Sequence, residues 1–123
     1  MMWTNSHAGY SYSGPAAAWA YKSINTAGIS RVFILGPSHH VWLDGCALSK
    51  CKEYETPIGN LPLDVDSKLF RASFRSDTYT KNFESAVQEL RQTGVFSDMD
   101  IGTDEDEHSI EMHLPYVRKI FEG

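Results

Sequence analysis

The stretch Arg31-Val32-Phe33-Ile34-Leu35-Gly36 constrains the fold more than any other part of the chain. Consecutive β-branched, aromatic and aliphatic residues closed by Gly36-Pro37 predict a short strand buried on both faces, the kind found inside a parallel sheet. Upstream, Ser13-Gly14-Pro15 leads into Ala16-Ala17-Ala18-Trp19-Ala20-Tyr21-Lys22. Proline is tolerated in the first helical turn and alanine has the best helix propensity, so a helix is expected over about 15–25, ending near Gly28. Helix and strand alternating in this way predict an α/β architecture.

Residues 37–45 include Pro37, Ser38, His39, His40, Asp44 and Gly45. They should form a loop at the carboxyl end of the strand, the edge at which open α/β sheets bind ligands. A second extended segment is expected at about 46–55, leaving by way of Pro57, Gly59 and Pro62. Asp64 to Thr93 reads as mostly helical, with Asp64 or Asp66 as a starting cap, Gly94 as the closing one and an interruption between Phe74 and Asn82. Asp104 to Glu122 reads as a last helix, acidic in its first turn and carrying Arg118 and Lys119 in its last, kinked or interrupted at Pro115.

The chain has 123 residues, 41% of them hydrophobic, which suits a single domain with a core. Its net charge is −5 and it has no Lys/Arg-rich run, so binding to a nucleic-acid backbone has no electrostatic basis. Seven of the carboxylates fall between Asp98 and Glu111 with no Lys or Arg among them. Such a run is expected to be a solvated face, with attraction of a metal or other cation as the sharper alternative. No apolar stretch approaches the roughly 20 residues of a membrane span, and no secretory signal is visible, so a cytoplasmic protein is expected. Cys46 and Cys51 in an extended segment would stand roughly 16 Å apart, too far for a disulfide, and are expected to be reduced. No glycine-rich phosphate loop occurs, and no nucleotide cofactor is expected.

The histidines are the candidate chemistry. His7 precedes the first helix and His39 follows the strand by a short step, so the two can converge at one sheet edge. His108 and Glu111 lie three apart on one face of a helix, a spacing that suits a shared metal or a hydrogen-bond network, or merely a helix start that ties down neighbouring loops. His113 lies about 140° around from His108 and should point elsewhere. The run is neither H-E-x-x-H nor H-x-x-E-H, so no zinc-protease motif is present. Tyr10 and Tyr12, beside His7, would face the same way in an extended segment, lining a pocket or simply packing.

His7-Ala8-Gly9-Tyr10-Ser11-Tyr12-Ser13-Gly14, then Arg31 to His40, then Thr103-Asp104-Glu105-Asp106-Glu107-His108-Ser109-Ile110-Glu111-Met112-His113-Leu114-Pro115-Tyr116 resemble, in order, three successive motifs of the Memo family. The resemblance covers most of the chain but only the first half or so of a family member. It implies an α/β sandwich with a mostly parallel central sheet, similar to the class III extradiol dioxygenases and here truncated. It also implies a metal site, for copper or iron, whose first two ligands would be His7 and His39. The family's third ligand, a cysteine late in the chain, has no counterpart, and neither Cys46 nor Cys51 matches it.

The resemblance further implies a role in signalling to the cytoskeleton, with recognition of phosphotyrosine peptides or signalling proteins through positions matching His7, Tyr12 and His39. Residues 1–123 would then be one partial domain with extra sequence at about 70–85. The expected function is a metal-binding signalling protein. Its first rival is a metal-dependent oxidoreductase of extradiol type, with His40 or His108 moving protons and His108 and Glu111 supporting the site. Its second is an interaction module without metal.

Overall fold

The computed structural model describes residues 8–65 and 85–122. Helix α1 runs from Tyr10 to Lys22, starting five residues earlier than expected, with Pro15 inside it. Its buried face is small, formed by Ser13, Gly14 and Ala17. That allows the closing helix α5, Leu114–Ile120, to come close. The Tyr116 hydroxyl donates to the Gly14 carbonyl at 3.0 Å, and its ring stacks on Tyr21 at 5.1 Å and meets Tyr10 edge-on at 6.0 Å. Leu114 and Val117 are buried beside them. Because this segment is helical, Tyr10 and Tyr12 do not share a side. Tyr10 packs on Tyr116, and Tyr12 is 85% exposed. Tyr116→Phe should cost about 1 kcal/mol in urea denaturation, through loss of one part-buried hydrogen bond with the ring stack kept.

Between Ser23 and Gly45 the chain is irregular. Gly28 has φ of +77° in a turn closed by the Ile29 N–H on the Thr26 carbonyl, after the helix has ended. The strand expected at 31–36 is not formed. A doubly buried strand needs ladder partners on both sides. Among the described residues the parallel ladder is made elsewhere, and Phe33 and Leu35 are exposed. That ladder pairs β1, Cys46–Leu48, with β4, Phe96–Asp98, in the register Cys46 with Phe96 and Leu48 with Asp98. A hairpin of β2, Glu53–Tyr54, and β3, Leu61–Pro62, lies between them in sequence and turns at Gly59, φ +119°. The described residues therefore form a mixed helix and strand structure, as an α/β reading expects, with one small parallel pair and one antiparallel pair.

Helix α2, Ala86–Gln92, is capped by the Ser85 hydroxyl, which accepts from the Gln88 N–H at 3.1 Å. Asp64, expected to cap a helix starting beside it, instead reaches across. Its Oδ2 accepts the Ala86 N–H at 3.1 Å and pairs with Arg31 Nε at 3.0 Å. Gly94, φ +72°, follows the helix as expected. Asp66, the interruption at Phe74–Asn82 and the extra sequence at about 70–85 lie outside the described residues.

The single acidic helix expected from Asp104 is three. These are α3, Ile101–Asp106, α4, His108–Glu111, and α5. Asp100 caps α3 through the Gly102 N–H, and Pro115 sits in the first turn of α5, where its missing N–H costs nothing. The break between α3 and α4 falls at Glu107, whose backbone is extended at φ −87°, ψ 125°. No described helix is long and apolar enough to cross a membrane.

Candidate functional site

The site begins with a close approach. A Cβ placed on Gly36 would lie 2.5 Å from Ser109 Oγ and 3.0 Å from Ile110 Cγ1, so only glycine lets α4 press against the 36–39 loop. Ser109 is 1% exposed, and its hydroxyl donates to the Pro37 carbonyl at 2.8 Å. This contact aligns His39 with the residues at the start of α4.

Glu107 caps α4 by accepting the Ser109 N–H at 3.0 Å. The same carboxylate accepts the His39 N–H at 2.6 Å on Oε2 and faces His39 Nδ1 at 2.6 Å on Oε1. The His39 and His108 rings stack with centroids 4.6 Å apart and planes 23° from parallel. His108 Nδ1 is 3.8 Å from Glu107 Oε1, beyond hydrogen-bond reach. One donor atom from each of His39, Glu107 and His108 lies within 4.8 Å of the others. The Glu107 side chain is 8% exposed, against 34% for His39 and 47% for His108.

Burial pushes the Glu107 carboxyl up, but its bonds from the His39 backbone and ring and from Ser109 outweigh that and hold it down at about 2. A carboxyl depressed in the folded state stabilises the fold above its unfolded value, near 4.5, and that contribution is lost as the pH falls from there toward about 2. Acid titration of stability should therefore show a limb of about 2 kcal/mol across this window, after allowance for screening, that Glu107→Gln flattens. Equal acid limbs in the two chains would contradict it.

Beside the cluster runs a cleft of about 710 Å³ whose walls include Pro37, Trp42, Cys46, Cys51, Tyr54 and Glu107. Asp104, also on its wall, is part of a second polar knot. It accepts from the Ser49 hydroxyl at 2.6 Å, from the Tyr54 hydroxyl at 2.9 Å and, weakly, from the Cys51 thiol at 3.6 Å. Burial pushes the Tyr54 phenol well above its usual value; the Ser49 bond works against this and the Asp104 charge adds to it. Burial, followed by Tyr116 and Tyr10, likewise raises Tyr21 to about 12. Both cysteines are free.

Of the residues singled out in the sequence, His39 and His108 come together, while His7 lies outside the described residues. His40 is exposed and is not in the cluster. Tyr12 is on the exposed side of α1. Glu111 lines the cleft, but the carboxylate that meets His39 and His108 is Glu107. His113 points elsewhere, as expected, with Nδ1 2.9 Å from the Tyr21 hydroxyl. Sequence reasoning missed Glu107 because it read Asp98–Glu111 as a solvated face or a general attractor of cations and singled out Glu111 as the carboxylate beside His108. The available signal was an acidic residue just ahead of a helical Ser-Ile-Glu, a capping position. Asp104 departs from the same expectation by being part-buried and bonded.

A family model described as Memo-like protein matches residues 4–123. The chain belongs to the Memo-like family. It is 48% identical over 117 residues to Protein MEMO1 of Xenopus laevis and 47% identical to Protein MEMO1 of Homo sapiens, covering 95% of this chain and 33% of each relative. The Protein memo-1 homolog of Caenorhabditis elegans is 45% identical over 114 residues, 93% of this chain and 27% of that protein. The chain thus spans about a third of the length of these Memo relatives, less than the half or so expected.

Proposed function

We propose that this Memo-like chain binds a transition-metal ion, copper or iron, at the rim where the 36–39 loop meets α4. The observation that supports this is the meeting of His39 with Glu107 and His108, from segments 68 residues apart in sequence, within 4.8 Å. Two imidazoles and a carboxylate suit borderline metals such as zinc, copper and iron. Donors about 2 Å from a tetrahedral ion stand about 3.3 Å apart, so a cluster spanning up to 4.8 Å would close by up to about 1.5 Å on taking up an ion. His39 and His108 would hold the ion and Glu107 would supply the negative charge beside it. His7, which the family resemblance implies as a ligand, would add to the set.

Isothermal titration of the chain with Cu²⁺, and anaerobically with Fe²⁺, tests this. His39→Ala is expected to weaken uptake at least about tenfold, as loss of one of a few ligands should. His40→Ala should leave it unchanged. Equal uptake by wild type and His39→Ala would remove the assignment.

The oxidoreductase alternative would take His108 rather than His40 as its proton carrier, since His108 stacks on His39. Catechol turnover by the metal-loaded chain decides between binder and enzyme. The phosphotyrosine-peptide role that the resemblance attaches to His7, Tyr12 and His39 would place the peptide near α1, where Tyr12 is exposed. The described walls of the cleft carry Glu53, Glu55, Asp104, Glu105, Glu107 and Glu111 and no Lys or Arg, a setting that repels phosphate.

A further inference from the structure

Glu107 is built into the cluster differently from the two histidines. It is the most enclosed of the three, and both of its oxygens are turned onto residue 39, Oε2 to the backbone N–H and Oε1 to the ring. Oε1 also takes the Ser109 N–H. A carboxylate has about four lone-pair positions, and three are directed at donors of the chain itself. An ionised carboxylate can only accept, so a neutral His39 ring bonded to it must carry its proton on Nδ1. The basic lone pair then falls on Nε2, across the ring from Glu107.

We propose that Glu107 is a positioning residue: by its bond to Nδ1 it holds His39 as the Nδ1–H tautomer and presents Nε2 as the ligating atom, rather than binding the ion itself. This rests on the metal-binding reading above. A ligating histidine that donates its other ring N–H to a carboxylate is fixed in orientation and made a stronger base. The surroundings supply the rigidity this needs. Ser109 is buried and tied to Pro37, the absence of a side chain at Gly36 keeps α4 close, and the extended backbone of Glu107 aims its side chain back at the loop. The stacked His108 ring stands beside the oriented imidazole as the second nitrogen donor.

Long-range ¹⁵N–¹H NMR of the metal-free chain at about pH 8.5, where an ordinary imidazole is neutral, reads the tautomer directly. His39 is expected to show a protonated Nδ1 and an unprotonated Nε2. In Glu107→Gln the side-chain amide can donate as well as accept, so the Nε2–H form should become populated. Zinc affinity, measured by calorimetry with this redox-inert probe, should then fall about 10- to 100-fold. Ser109→Ala, which removes the hydroxyl bond to Pro37 but leaves the carboxylate in place, should keep the Nδ1–H form. A wild-type His39 with its proton on Nε2 overturns the proposal, and that spectrum needs no variant to fold. Unchanged tautomer and unchanged zinc affinity in Glu107→Gln also overturn it. A wild-type chain with the Nδ1–H ring that takes up neither zinc nor Cu²⁺ nor Fe²⁺ supports the hydrogen-bond assignment and overturns the metal reading beneath it. Zinc uptake by an Nε2–H ring does the reverse.

Discussion

Gly36→Ala is expected to destabilise the chain by about 2–4 kcal/mol, the sum of an overpacking cost and a lost buried hydrogen bond. The new methyl would meet Ser109 Oγ at 2.5 Å and Ser109 Cβ and Ile110 Cγ1 at 3.0 Å. Ser109 is 1% exposed and committed to the Pro37 carbonyl, so it cannot swing aside without giving up that bond. The alternative relief is for α4 to move off the loop, which separates Glu107 and His108 from His39. The variant should therefore lose metal affinity together with stability. Gly9→Ala is the control, because nothing lies within 4 Å of its Cβ position; as Gly9 is the N-cap of α1, where alanine is poorer than glycine, the change should cost about 0.5–1 kcal/mol, well short of Gly36→Ala. Adding Ser109→Ala to Gly36→Ala should recover part of the loss, since it removes the nearest atom. Urea midpoints of the four chains measure this, and a Gly36→Ala midpoint equal to wild type would show that the loop and α4 are not in contact in solution.

Asp104→Ala should cost about 2–3 kcal/mol, because it strands the donors that converge on one carboxylate. The Ser49 and Tyr54 hydroxyls both point at Asp104, and through them the segment after β1 and the hairpin strand β2 are tied to α3. The Tyr54 phenol should at the same time titrate lower, by loss of the neighbouring negative charge, while burial keeps it above its ordinary value. Denaturation and an ultraviolet pH titration of the same sample test both halves. An unchanged Tyr54 titration would mean that the carboxylate is not its partner. Because Asp104 stands apart from the His39 cluster, this variant should retain metal uptake wherever it remains folded.

Part of what acts locally was legible, although the Tyr10–Tyr12 segment, read as extended, is the first turn of α1. The alanine run of α1, the left-handed Gly94 after α2 and the helix-starting Pro115 each act within a few residues through propensity or a fixed dihedral angle. His39 was legible as a candidate because a short His-containing loop follows an apolar run, whatever the conformation of that run. The three motifs carried the family, whose model matches residues 4–123.

The rest was decided by partners far away in sequence. Residues 31–36 have every strand propensity, yet a strand exists only where another backbone completes its ladder, and the described chain builds its parallel pair from Cys46–Leu48 and Phe96–Asp98. Asp104 and Glu107 sit in the same acidic run and look alike in composition. One is fixed by Ser49 and Tyr54, 50 or more residues away, and the other by His39, 68 residues away. Sequence alone determined the family, the presence of helix in the alanine-rich and C-terminal segments, and the breaks at Gly94 and Pro115. Only the tertiary structure chose which carboxylate meets the histidines, because hydrogen bonds between distant residues depend on how the backbone brings them together and leave no period or spacing to read.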